Sequence, residues 1–85
     1  MKKRWLAEIR IKDWCAPLPD GSRVFDYEEV EALECETSMH NVFARYAAMD
    51  LVEKRIKYEP SYARRLLSLG LSASDLCSPD AILVD

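Results

Sequence analysis

Glycine is nearly missing from this chain, with two residues, and histidine occurs once, as His40. No glycine-rich turn lies near His40 to shape an oxyanion hole, which weakens any hydrolase reading of that region. Cysteine is sparse and unpaired in spacing. Cys15, Cys35 and Cys77 form no CxxC, and one histidine does not complete a zinc site of the usual kind. No metal and no cofactor is therefore expected. An odd, unpatterned set of cysteines reads as reduced thiols in a cytosolic protein. Long apolar runs are also lacking, since none approaches the ~20 residues of a membrane span. The opening MKKR-WLAEIRI imitates the positive start of a signal peptide, but Glu8 and Arg10 interrupt the apolar region such a leader needs. A cytoplasmic protein with no membrane partner is expected. No internal repeat or low-complexity tract is present.

Positive charge is absent from one stretch in particular. Asp26, Glu28, Glu29, Glu31, Glu34 and Glu36 follow one another with no base among them. Bases crowd instead at Lys2, Lys3, Arg4, Arg10 and Lys12, and return in Arg45, Lys54, Arg55, Lys57, Arg64 and Arg65. The net charge is only −3, so segregation, not excess, is the informative feature.

What is present fits one small domain of 85 residues, residues 1–85. Trp5 to Lys12 alternates, with Trp5, Ala7, Ile9 and Ile11 on one parity and Glu8, Arg10 and Lys12 on the other. That period of two predicts a strand with one buried face, with Leu6 an exception on the polar side. Residues 13–23 contain two prolines and a Pro-Asp-Gly turn, and predict an irregular excursion. Residues 24–36 read as a strand in preference to a helix. Val30 with Ala32, then Leu33 with Cys35, are two alternating runs one residue out of phase, which a β-bulge between them would reconcile. Pairing with the first strand would set these acids against Arg10 and Lys12.

The one long periodic stretch is Thr37 to Tyr58. Met39, Val42, Phe43, Tyr46, Met49, Val52 and Ile56 recur at helical spacing, with Thr37 or Ser38 as the cap and Pro60 as the stop. His40, Ala44, Ala47, Leu51 and Tyr58 form a weaker second strip. Pro60 to Leu69 predicts a shorter helix ended by Gly70, and Ser72 with Asp75 a capping box over one further turn. Residues 81–84 predict a short buried or edge strand. The expected fold is α+β: a two- to three-stranded, mostly antiparallel sheet with one long and one short helix on one face.

The chemistry-bearing candidates are few. The carboxylates of 26–36 alternate along an expected exposed strand, and no pair is singled out for acid–base work. Cys35 and His40 flank the strand-to-helix turn, where Cys35 is read as core rather than nucleophile. The segment ARRLLSLGLSASDL has the outline of a helix-turn-helix over 60–79, but its second helix carries two aspartates and no base, so direct nucleic-acid contact is disfavoured. The acidic ridge has a second reading. Carboxylates in a row imitate phosphates and fit a basic groove on a partner. Trp5, Trp14, Phe25, Tyr27 and Tyr62 are candidate contact anchors where exposed; Trp5 is assigned to the core, and Trp14, in a loop beside two prolines, is the best placed for a contact.

The passage VEALECETSMHNVFARYAAMDLV, a charged strand running into an alanine-containing amphipathic helix, resembles the central unit of small phage and mobile-element proteins of the anti-CRISPR and host-takeover inhibitor type. That resemblance implies a non-enzymatic protein that binds and blocks one larger protein, in a bacterial host cell. The expected partner is a larger protein or protein–RNA complex with a basic surface. The expected contact residues are Asp26, Glu28, Glu29, Glu31, Glu34, Glu36, Trp14 and Tyr27. The alternatives are a small nucleic-acid-binding or transcriptional accessory protein using Arg64, Arg65 and the basic N-terminus, and a structural subunit or homodimer.

Overall fold

The computed structural model describes residues 1–84. Three strands and two helices follow in the order β1 (Lys3–Ile11), β2 (Val24–Ala32), α1 (Val42–Tyr58), α2 (Pro60–Ser68) and β3 (Leu76–Leu83). β1 is central and pairs antiparallel with both neighbours, giving the order β2-β1-β3. The α+β class, with both helices on one face of a small antiparallel sheet, is as the sequence predicts.

The alternation of β1 places Trp5, Ala7, Ile9 and Ile11 in the interior. Phe25, Val30 and Ala32 join them from β2, and Leu76 and Ala81 from β3. Trp5 is fully buried, and its indole N–H donates to the Ala32 carbonyl oxygen at 3.0 Å. Opposite the sheet, α1 inserts Ala44, Ala48 and Val52. The buried face draws Val52 from the stronger apolar strip, Ala44 from the weaker one and Ala48 from neither. Phe43 and Tyr46, from the stronger strip, lie in solvent, with Tyr46 67% exposed. Ala44 and Ala48 are fully buried in that face, and such small side chains let the helix approach the sheet closely.

α1 also begins later than its periodicity suggests. Residues 38–41 are turn, because the Cys35 amide bonds back to the His40 carbonyl at 3.0 Å and Thr37 Oγ1 accepts from the Met39 amide. Asn41 precedes the helix but does not cap it. Its Nδ2 donates instead to Asp80 Oδ1 (3.0 Å) and the Ala81 carbonyl (3.1 Å) on β3.

Two further corrections concern the strands. β2 stops at Ala32, so Leu33 and Cys35 are outside it, and the bulge falls at Phe25, between the pairs Ile9–Asp26 and Arg10–Val24. Of the β2 acids, Glu31 lies opposite Arg4, Glu29 opposite Leu6, Glu28 opposite Ala7 and Asp26 opposite Ile9, so none is set against Arg10 or Lys12. At the other end of the chain, the Ser72–Asp75 capping box forms, but it closes a single 3-10 turn over Ala73–Asp75. Leu76 then pairs with Ile11 as β3 begins, five residues before the predicted strand. Among the described residues no second α-helix follows α2, and the helix-turn-helix outline is not realised. Pro79 sits within β3 because that strand is an edge and bulges there, opposite Ile9.

Candidate interaction surface

Since both helices lie on one face, the other face of the sheet is bare among the described residues. β1 presents Arg4, Leu6, Glu8 and Arg10 there, β2 presents Tyr27, Glu29 and Glu31, and β3 presents Asp80 and Ile82. Three carboxylates, Glu8, Glu29 and Glu31, thus share the face with two guanidinium groups, while Asp80 turns its carboxylate to Asn41 at the β3 edge. Glu31 is paired across the ladder with Arg4, and Glu29 with Leu6. Arg10 turns to its own strand and bonds Glu8 at 3.1 Å. A shallow hollow of about 300 Å³ opens among Arg4, Glu29, Glu31 and Val84.

Of the expected contact residues, this face unites Tyr27, Glu29 and Glu31. Trp14 joins its far end, where Arg10, Lys12, Cys77 and Pro79 line a second hollow of about 420 Å³ with it. Trp14 is 72% exposed but held in place. Its indole N–H donates to Asp75 Oδ1 at 3.3 Å, and the Lys12 ammonium lies 4.9 Å from its ring centroid. The same Asp75 accepts from the Ser72 amide, and these donors hold its carboxyl below the usual range. Partial burial, reinforced by the Asp75 carboxylate, pushes the neighbouring Cys15 thiol up.

The other acids disperse. Asp26 stands at the bulge, where its Oδ1 accepts from the Tyr27 amide at 2.8 Å. Glu34 lies past the strand end and binds Lys3 at 3.0 Å, and Glu36 is exposed in the following loop.

Glu28 contradicts the expected ridge. It faces the helices and is 3% exposed, packed beside Ala7 on the inner side of β2. Arg55 Nε reaches its two carboxylate oxygens at 2.9 and 3.0 Å, and Arg55 Nη1 turns to Glu59 at 2.7 Å. Burial still raises the Glu28 carboxyl above its ordinary value, and the guanidinium only partly opposes this. The signal was present in the sequence: Glu28 shares its parity with Val30 and Ala32. Burial with Asp26 and Glu28 nearby likewise pushes the Tyr62 hydroxyl up to about 12.

Cys35 and His40 do not converge as a nucleophile and base. The Cys35 thiol lies 3.4 Å from the Thr37 hydroxyl, and the His40 ring packs on Trp5 at 5.9 Å between centroids. Among the described residues, no three His, Cys, Asp or Glu side chains cluster as metal ligands, and no helix is long and apolar enough to cross a membrane. The residues that sequence reasoning missed on the bare face are apolar: Leu6, Ile82 and Val84. Leu6 was visible as the one apolar side chain on the polar parity of β1. No family model, curated protein or solved structure matches the chain.

Proposed function

We propose that this chain is a protein-binding module that acts by occlusion, docking its bare sheet face on a basic surface of a larger protein or protein–RNA complex. One observation carries the reading. A single uncovered face combines an acidic outer strand (Glu29, Glu31), exposed aromatics (Tyr27, Trp14) and apolar side chains (Leu6, Ile82). Carboxylates at the rim steer a basic partner, and aromatic and aliphatic side chains provide the area that is desolvated on contact. Glu28 has no part in it, because its carboxylate is already spent on Arg55. The blocking role is the one implied by the resemblance of residues 30–52 to phage inhibitors.

The test is a charge reversal confined to solvent-facing acids, Glu29→Lys with Glu31→Lys. A partner captured by the wild-type chain should associate about tenfold or more slowly with the double variant, and its rate should lose most of its salt dependence. Association unchanged in rate and salt response would overturn the steering role. Retardation of DNA or RNA by the isolated chain at low salt would favour the nucleic-acid alternative instead.

A further inference from the structure

The two edges of the sheet are finished differently. The Val84 amide donates to the Arg4 carbonyl at 3.0 Å and the Ile11 amide to the Arg23 carbonyl at 2.9 Å. Even-numbered residues of β1 therefore bond toward β3, and odd-numbered ones toward β2. On β3 this leaves the carbonyls of Ser78 and Ala81 aimed outward, and both are sealed: Arg45 Nε of α1 meets the first at 2.8 Å and Asn41 Nδ2, just before α1, the second at 3.1 Å. Pro79 removes one donor from the same edge.

On β2 the residues opposite Lys3, Trp5 and Ala7 are Ala32, Val30 and Glu28, so Tyr27, Glu29 and Glu31 direct their backbone groups outward. The upstream end is closed, with Arg65 Nη2 on the Phe25 carbonyl (2.9 Å) and the Asp26 side chain on the Tyr27 amide. From the Tyr27 carbonyl through Glu31, no group among the described residues meets the edge. This is a run of roughly 14 Å in strand rise. Glu29 and Glu31 hang beside it on the bare face. On the helix side Leu51, Arg55 and Tyr58 border a hollow of about 230 Å³, and Arg55 ties that hollow to β2 through Glu28.

We propose that β2 receives an extended, lysine- or arginine-bearing segment of the partner protein as a fourth strand. Backbone hydrogen bonds to Glu29 and Glu31 would set its register. Its basic side chains would lie beside those carboxylates, and its alternate side chains over the Leu51–Tyr58 hollow. A second copy of this chain fits poorly, because two β2 strands paired about Glu29 would oppose glutamate to glutamate. The inference rests on the protein-binding reading and specifies how the contact is made.

The probe is a short peptide alternating lysine and threonine, added at low salt to isotopically labelled protein. Bound peptide should slow hydrogen exchange at the Glu29 and Glu31 amides by about tenfold or more. N-methylating one alternating set of its peptide bonds should abolish binding, and N-methylating the other set should not. Glu29→Pro, which removes an outward amide and spares the ladder to β1, should also abolish it, whereas Glu29→Gln should only weaken it. If both methylated sets bind and Glu29→Pro has no effect, strand addition is overturned while an acidic docking face survives. If the peptide does not bind, strand addition is overturned, and the charge-reversal experiment decides the broader reading separately. A concentration-dependent dimer abolished by Glu29→Pro would give the edge to a second copy and overturn the proposal.

Discussion

Removing the Arg55 guanidinium is the sharpest perturbation of this fold, because it strands the Glu28 carboxylate between sheet and helix. Severing a buried ion pair by deleting one partner costs about 3–5 kcal/mol. Arg55 is about one-third exposed, so water compensates in part, and Arg55→Met should cost about 2–3 kcal/mol near neutral pH. A chain of this length has a total stability of about 4–13 kcal/mol, so the loss is readily measured by urea denaturation. Glu28→Met added to Arg55→Met should recover most of it, since an apolar pair of similar volume need not be solvated. The pH dependence has a definite sign. Burial raises the folded-state value of Glu28 above its ordinary one, so the native state holds that proton more tightly than the unfolded chain. The contribution of Glu28 is therefore unfavourable above its folded-state value and is relieved as pH falls toward the ordinary carboxyl range. Without Arg55 the value rises further, so the loss should be larger near pH 8 than near pH 5. Equal losses at both pH values, or a double variant less stable than Arg55→Met alone, would refute this account.

Three further outcomes follow from the packing. Ala48→Leu forces a branched side chain into the fully buried seam between α1 and the sheet, and should cost about 1–3 kcal/mol in the same denaturation assay. Gly70→Ala meets no neighbouring atom, but Gly70 has φ of +70°, so backbone strain alone should cost about 1 kcal/mol. Asp75→Ala should free Trp14, read as a fall in its fluorescence anisotropy. It should also remove a stabilisation that in the wild-type chain is present above the ordinary carboxyl range and lost as pH falls through the lowered Asp75 value.

Much of the architecture was legible in the residues. β1 could be read from its alternation alone, and the helix stop at Pro60 and the capping box at Ser72 from local chemistry. The misreadings share a cause. At each of these positions a partner element, not the local pattern, decides the outcome. In α1 the periodicity marks two apolar strips, but the buried face runs between them, through Ala44, Ala48 and Val52, and leaves Phe43 and Tyr46 in solvent. After α2, Leu76 was drawn into β3 by Ile11 although its neighbours suggest helix. Glu28 was grouped with the solvent-facing acids by composition, when its parity with Val30 and Ala32 assigned it inward. The bare face itself was half visible: its charges stood out, but Ile82 and Val84 acquire meaning only once β3 lies beside β1.

The central position of β1 has a kinetic consequence. One of its flanks is completed by β2 within about twenty residues, but the other waits for a strand some seventy residues further along. Until that last segment arrives, the innermost strand of the finished sheet is an outermost one, with its row of unmet amides and Trp5 accessible to other chains. Release of a shortened polypeptide ending before Leu76 would make that transient condition permanent, so misassembly should concentrate on the first nine-residue strand rather than on the helices.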